Sequence, residues 1–124
     1  PLYLKKVYKD DPIFSDSKII LSLYDEADSY TFAEDMRSKI MLPGIKNKDL
    51  DVLSEANGIN LAKLAVQYSD GVIMASPKID DSIVSFVEAS KLPVLPYCEI
   101  DAANPEYIKE YNQFYDTILG NNAI

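Results

Sequence analysis

Three short apolar segments, separated by longer amphipathic ones, constrain the fold of this chain more than any other feature. They are residues 18–24, 71–75 and 93–97. The first two are apolar or β-branched at most positions, which is typical of strands covered on both faces in a parallel sheet. Because strand and helix alternate, we predict right-handed βαβ units that form one α/β domain over residues 1–124. The expected fold is a narrow, partial, doubly wound sheet in a three-layer α/β/α arrangement.

The segments around the strands carry helix signals. Residues 1–9 predict the end of a helix, residues 31–42 a short helix closed by Pro43-Gly44, and residues 49–55 a further helical segment. The next helix should end at the turn formed by residues 69–71. Its apolar positions recur at helical spacing: Leu61, Leu64, Ala65 and Tyr68.

Two later helices are each predicted to begin with a polar cap followed by proline. Ser76 and Pro77 take these places in one helix, and Asn104 and Pro105 in the last helix, which ends at Gly120. The core stripe of the first is Ile79, Ile83, Phe86 and Val87, and that of the second is Tyr107, Tyr111, Phe114, Tyr115 and Ile118. We expect the aromatic stripe to pack against the sheet, with stacking on sugars as the alternative.

Composition excludes several classes of function. A net charge of −8 argues against nucleic-acid and anionic-membrane surfaces, and leaves small molecules, neutral glycans and protein partners. The absence of histidine removes the commonest general base and metal ligand. Four scattered glycines form no phosphate-cradling loop, and Cys98 as the single cysteine fits a reducing compartment. We predict no metal, no cofactor and no membrane span. Because the chain opens at Pro1, we expect it to be a piece of something longer.

The first candidate site follows the first predicted strand. Tyr24, Asp25, Glu26 and Asp28 stand there, and open parallel sheets bind ligands at the edge where the strands end. A carboxylate cluster can hold a divalent cation or accept hydrogen bonds from sugar hydroxyls. A solvated acidic loop is the simpler interpretation.

The second candidate site follows the second predicted strand. Ser76, Pro77 and Lys78 stand where that strand meets the next helix. Exposed amides at a helix start, with a lysine beside them, can receive a phosphate or carboxylate. A plain helix cap explains Ser76 and Pro77 equally well.

Two segments resemble one enzyme family. Lys18-Ile19-Ile20-Leu21-Ser22-Leu23-Tyr24-Asp25 is similar to the Lys-Val-Val-Phe-Thr-Ile/Val-His-Asn strand and loop of bacterial glycogen and starch synthases. Residues 63–77 are similar to their Lys-Ala-Gly-Leu-Tyr-Tyr-Ala-Asp-Arg-Val-Thr-Thr-Val-Ser-Pro segment. The identical positions, in order and without a gap, are Lys63, Tyr68, Asp70, Val72, Ser76 and Pro77. The resemblance is collinear from residue 1 to about residue 80; beyond that it rests on shorter homologues that end in a tyrosine-rich helix.

The resemblance implies the C-terminal half of the N-terminal, Rossmann-like domain of a two-domain (GT-B) glycosyltransferase of family 5. Members transfer glucose from ADP-glucose or UDP-glucose to an α-1,4-glucan in the cytoplasm. The family His-Asn beside the donor sugar corresponds to Tyr24 and Asp25, and we expect Ser76 and Lys78 to form a polar rim. The Lys-Thr-Gly-Gly-Leu donor loop and the His-x-His-Asp-Trp segment are not in this sequence. The resemblance therefore implies a partner in the missing N-terminal half and no activity for this chain alone.

Two other functions stay open at this stage. In the first of these, the parent protein has lost catalysis and serves as a glucan-binding or regulatory module. A flavodoxin-like or receiver-like domain is the third possibility, with Asp25-Glu26 as paired acids. A receiver needs a phosphoacceptor aspartate at the end of the second strand, where Ala75-Ser76 stands instead.

Overall fold

The computed structural model describes residues 1–25, 35–53, 57–100 and 103–120. Strand and helix alternate along the chain, as predicted. The elements are helix α1 (Leu2–Lys6), strand β1 (Ile20–Leu23), helix α2 (Met36–Lys39), a 3₁₀ helix (Asn47–Leu53), helix α3 (Gly58–Gln67), strand β2 (Gly71–Met74), helix α4 (Asp81–Ser90), strand β3 (Val94–Leu95) and helix α5 (Glu106–Leu119).

The three strands form one parallel sheet in the order β1-β2-β3. Ile20 lies opposite Gly71 at the start of the first pair, and Val72 lies opposite Val94 in the second. The predicted parallel α/β sheet is therefore confirmed. Strand β3 is shorter than predicted because prolines stand on both sides of it. The Pro93 carbonyl still accepts the N–H of Val72 at 3.0 Å, but Pro96 has no N–H to continue the ladder.

One face of the sheet is covered by α3 and α4. The buried residues of this core are Leu23, Val66, Val72, Ile83 and Val87, with Leu21, Met74 and Val94 packed against them. Side chains alternate between the faces of a strand, so the apolar residues at alternate positions of β1 and β2 all point to these helices. Burying each of these aliphatic side chains contributes about 1.5–3 kcal/mol.

Helix α5 covers the opposite face over the start of β2. A β-carbon on Gly71 would lie 2.6 Å from Cδ1 of Ile118 and 3.1 Å from Cζ of Phe114. Only glycine leaves room for this close approach of helix and strand. With helices on both faces, the chain forms the three-layer α/β/α arrangement of a partial Rossmann-like fold.

A second apolar core joins α1 and the 3₁₀ helix to α3. Its buried residues are Leu2, Ile45, Leu50, Leu53 and Leu64. Leu64 belongs to the helical stripe that the sequence indicates, and the 3₁₀ helix occupies most of the predicted segment 49–55. Residues 54–56 and 26–34 lie outside the described part of the chain.

Helix α4 begins at Asp81, so the prediction that Ser76 caps it is wrong. Asp80 caps the helix instead, because its Oδ1 accepts the N–H of Ser82 at 2.8 Å. Ile79 packs against the sheet core from this non-helical connection. The chain must first pass from the sheet edge to the helical layer, and an aspartate is as good a cap as a serine.

Two further helix predictions need correction. Helix α2 covers only Met36–Lys39 within the described part of the predicted 31–42 segment. In α5 the cap position is Pro105, with no side-chain cap bond, so Asn104 does not take the predicted role. The aromatic stripe packs on the sheet only in part: Phe114 is buried, Ile118 meets Gly71, and Tyr115 is 37% exposed.

Candidate functional site

The turns after β1 and β2 lie side by side at the carboxyl edge of the sheet. The N–H of Ala75 donates to the Leu23 carbonyl at 2.8 Å, extending the pairing beyond the strands. One residue further along, the N–H of Asp25 donates to Oγ of Ser76 at 3.3 Å. The structure thus brings together two residues that are 51 positions apart and that the sequence indicates separately.

An open cleft of about 400 Å³ lies beside this hydrogen bond. Its apolar lining comes from Met74, Val84 and Pro96, and the ring of Tyr97 stands at its side, 43% exposed. Its polar lining consists of Ser76, Lys78 and Asp81. Apolar walls with a few polar groups are typical of small-molecule sites, and hydroxyl, ammonium and carboxylate groups together can bind sugar hydroxyls.

Amides in the first turn of α4 already have partners within the chain, since the N–H groups of Ser82 and Ile83 both donate to Asp80. The Asp80 carboxylate accepts hydrogen bonds from both the hydroxyl and the N–H of Ser82, and these bonds lower the pKa of Asp80. A carboxylate held there already neutralises the positive end of the helix dipole. Residues 76–78 precede α4 rather than begin it, so the prediction of a phosphate site on a helix start at these residues is wrong. Lys78 still lines the cleft as a cation.

Tyr24 and Asp25 are exposed at the end of β1. The side chain of Tyr24 is 60% exposed and does not line the cleft of Ser76 and Lys78. Burial raises the pKa of Tyr111, and the nearby Cys98, Tyr115 and Tyr24 raise it further. Glu26 and Asp28, the other members of the predicted acidic cluster, lie outside the described residues.

Two cleft residues that carry polar groups were not singled out as site residues from the sequence. Tyr97 lies two residues after β3, as Ser76 lies two residues after β2, so the rule that points to strand ends also applies to it. Asp81 gives no signal of its own in the sequence, because it is adjacent to Asp80 and adjacent residues do not face each other on a helix. It reaches the cleft because it stands in the first turn of α4.

Two ion pairs, away from the cleft, join helix α1 to the rest of the fold. Lys5 lies 2.7 Å from Asp70, and Lys6 lies 3.2 Å from the buried Asp49. The Asp49 carboxylate also accepts the N–H of Lys46 at 2.8 Å, and that bond is the first cause of its lowered pKa. Because these carboxylates already have partners inside the fold, we assign them no role in ligand binding.

Within the described ranges, no group of three or more Cys, Asp or Glu side chains is arranged to hold a metal ion. The same part of the chain contains no helix that is long and apolar enough to cross a membrane.

Comparison with known proteins identifies the family. The family model of the starch synthase catalytic domain matches residues 1–93, which include β1, β2 and α4 but not β3 or α5. No curated protein and no solved structure matches the chain significantly. The match extends past the point at which the sequence motifs end and gives no support to a flavodoxin-like or receiver-like interpretation. The chain belongs to the starch synthase catalytic domain family, a family of glycosyltransferases.

Proposed function

We propose that the carboxyl-edge cleft is the sugar site of a glycogen or starch synthase-type glycosyltransferase. The parent enzyme transfers glucose from ADP-glucose or UDP-glucose to the end of an α-1,4-glucan in the cytoplasm. The observation that carries the proposal is the 3.3 Å hydrogen bond between Asp25 N–H and Ser76 Oγ. It joins the two segments that most resemble the family into one continuous edge.

Each predicted residue has a role that follows from its chemistry. Ser76 and Lys78 supply a hydroxyl and an ammonium group to the polar side of the cleft. Tyr24 and Asp25 present a phenol and a carboxylate beside it, and both can form hydrogen bonds with sugar hydroxyls. Tyr97 adds an exposed ring that can cover the apolar face of a pyranose.

Asp25 makes this site unfavourable for the anionic donor. Where the family has a neutral amide, this chain places a carboxylate, and the sugar nucleotide carries two phosphates. Two unit charges about 4 Å apart repel by roughly 1–4 kcal/mol at or near a protein surface. We propose that the rest of the donor site comes from an N-terminal half of the same domain and that the 124-residue chain alone does not transfer glucose.

The test combines binding with turnover. Maltotriose, glucose and ADP-glucose are titrated into ¹⁵N-labelled protein while glucosyl transfer to glycogen is assayed in parallel. We expect the sugars to shift the amide signals of Asp25, Ser76 and Tyr97, and we expect no transfer. Shifts confined to the Lys5–Asp70 edge would refute the proposed site. Robust transfer that disappears in Asp25→Ala would refute the inactivity.

A non-catalytic glucan-binding or regulatory module is the second candidate. The observation in its favour is the replacement of the family His-Asn by Tyr24-Asp25. Burial of Tyr24 in packing would have favoured it further, but this side chain is 60% exposed. Retardation in glycogen gels without any thermal shift from sugar nucleotides would favour the module, whereas a thermal shift with ADP-glucose or UDP-glucose would favour the transferase.

A further inference from the structure

A row of tyrosine rings runs along helix α5, outside the part of the chain that the family model matches. We propose that this row, the tyrosine ladder formed by Tyr107, Tyr111 and Tyr115, binds a neutral α-glucan chain. The inference rests on the proposed function for the identity of the ligand. It develops the sugar-stacking alternative for the aromatic stripe into a defined binding surface, which the family match does not assign.

The ladder is regular. The ring centroids of Tyr107 and Tyr111 lie 6.2 Å apart, and those of Tyr111 and Tyr115 lie 6.3 Å apart. This spacing matches the rise of about 6 Å over four residues of an α-helix. The planes of Tyr111 and Tyr115 differ by 31°, while Tyr107 meets Tyr111 edge-on at 87°. The rings of Tyr111 and Tyr115 are therefore only moderately tilted against each other, whereas the ring of Tyr107 stands edge-on at one end of the row.

The tyrosine ladder is not fully buried in the core. Phe114 is the buried residue of α5, and Ile118 fills the space above Gly71. Tyr115 is 37% exposed, and Tyr107 and Tyr111 are half-buried. A helix that needed only to cover the sheet would not require three large rings along its flank, and exposed aromatic surface of this kind marks binding sites.

The middle ring has a neighbour outside α5. Burial and then Cys98 raise the pKa of Tyr111, and burial and then Glu110 raise the pKa of Cys98. Cys98 belongs to the segment after β3, so the ladder lies near that segment, and the Tyr111 ring is half-buried. A ring that is already oriented loses little conformational freedom when a ligand stacks on it.

The charges of α5 identify the kind of ligand. Glu106, Glu110 and Asp116 lie on the same helix as the ladder, with Lys109 as its single basic residue. An acidic surface disfavours nucleic acids, phosphorylated sugars and anionic lipids. Tyrosine combines a flat apolar face with a hydroxyl that donates and accepts, which suits a neutral polyhydroxylated chain.

The position of the ladder connects it with the cleft. Helix α5 runs back across the sheet from the carboxyl edge, so that Ile118 reaches Gly71 at the start of β2. Tyr24 is exposed at the end of β1, next to Asp25, whose N–H bonds to Ser76 of the cleft, and Tyr24 contributes to the raised pKa of Tyr111. We therefore expect a glucan whose end occupies the cleft to pass Tyr24 on its way to the ladder.

The test uses glycogen affinity electrophoresis and maltoheptaose titration of the 124-residue chain. The chain has nine tyrosines and no tryptophan, so tyrosine emission reports the titration directly. Tyr115→Ser, alone and with Tyr107→Ser, removes the outer rings of the ladder. Tyr115→Phe keeps the ring. Tyr8→Ser is the matched control. Tyr8 is 46% exposed, and its ring centroid lies 6.1 Å from that of Phe14, so it removes an exposed ring that is not part of the ladder. Circular dichroism and melting curves establish that each variant is folded.

We expect Tyr115→Ser to weaken maltoheptaose binding by about fivefold, and the double variant by more, from the energy of a lost aromatic contact. Tyr115→Phe and Tyr8→Ser should retain most of the binding. Ser76→Ala separates the two proposals. If it abolishes glycogen retardation while Tyr115→Ser does not, the cleft binds glucan and the ladder is refuted.

Two other outcomes also overturn the ladder. Wild-type protein that is not retarded by glycogen has no such site. A Tyr115→Ser variant that changes a dimer into a monomer in the ultracentrifuge, with unaltered glycogen binding, would show that α5 contacts a second copy. Conversely, binding that depends on Tyr115 without sugar-induced shifts at Asp25, Ser76 and Tyr97 would support the ladder and refute the cleft.

Discussion

Oδ2 of Asp70 lies 2.7 Å from Nζ of Lys5 and accepts the N–H of Ile19 at 2.7 Å. One carboxylate thereby fixes α1, the residue before β1 and the residue before β2 at the amino edge of the sheet. The Asp70 N–H in turn donates to the Ile19 carbonyl at 2.7 Å. Asp70 is one of the positions identical to the family motif, and the structure gives it a structural role far from the cleft.

Replacing Asp70 should destabilise the fold in a pH-dependent way. Burial opposes ionisation of Asp70, but the bonds from Lys5 and Ile19 outweigh it and lower the pKa below 3.8. Its stabilising contribution is therefore present above the unfolded-state pKa and is lost as the pH falls through the folded value. We expect Asp70→Asn to lose about 1–2 kcal/mol at pH 7, measured by urea unfolding.

The control for this prediction is Asp10→Asn, an exposed aspartate on the segment after α1. Urea unfolding at pH 7 and pH 3 should show a smaller loss of stability on acidification in Asp70→Asn than in Asp10→Asn. Equal pH dependence in the two variants would contradict the role of Asp70.

Adding one methyl group at Gly71 should loosen α5. The new β-carbon would lie 2.6 Å from Cδ1 of Ile118, so the helix or the side chain must move. We expect Gly71→Ala to cost about 1–3 kcal/mol, as other overpacked positions do. Ile118→Val removes the clashing atom, so Gly71→Ala should cost less free energy of unfolding in the Ile118→Val background than in the wild-type protein. If the cost is the same in both backgrounds, α5 does not pack there.

Tyr68 should be among the last tyrosines to ionise. Burial and then Asp49 raise its pKa to about 12, and its hydroxyl donates to the Asp49 carbonyl at 3.2 Å. Because the folded pKa is raised, the stability it provides is present below about pH 10 and is lost as the pH rises towards about 12. Absorbance titration at alkaline pH should show a late step that is missing in Tyr68→Phe and kept in Tyr3→Phe.

Removing the carboxylate at position 25 should change binding of charged ligands only. Asp25→Asn places an amide where the resemblance to the family implies one, and it removes a negative charge next to the Ser76 turn. We expect ADP-glucose binding to strengthen by about fivefold, from roughly 1 kcal/mol of relieved repulsion near the surface, and maltotriose binding to stay within twofold. Calorimetry or amide-shift titration measures both.

The matched control is Asp16→Asn, which makes the same charge change at an exposed position before β1. If it strengthens ADP-glucose binding as much as Asp25→Asn does, net charge rather than the local carboxylate is responsible. An unchanged affinity in Asp25→Asn would place the nucleotide away from β1.

The sequence by itself determined the parallel sheet and the edge at which the site lies. Apolar runs around Leu21, Val72 and Val94 are long enough only for strands, and alternation with helices leaves parallel crossovers as the solution. Parallel strands end at the same edge, so the proximity of Asp25 and Ser76 follows from chain order. Their direct hydrogen bond does not, because it depends on the register of the two strands.

Only the tertiary structure decided where helices start and which side chains are exposed to solvent. Ser76 and Asp80 are comparable caps, and the packing of Ile79 selects Asp80. Helical spacing alone gives Phe114 and Tyr115 the same apolar character, but the close approach of α5 to Gly71 buries one and exposes the other. Local propensity acts over a few residues, whereas such choices depend on how much space distant segments leave to one another.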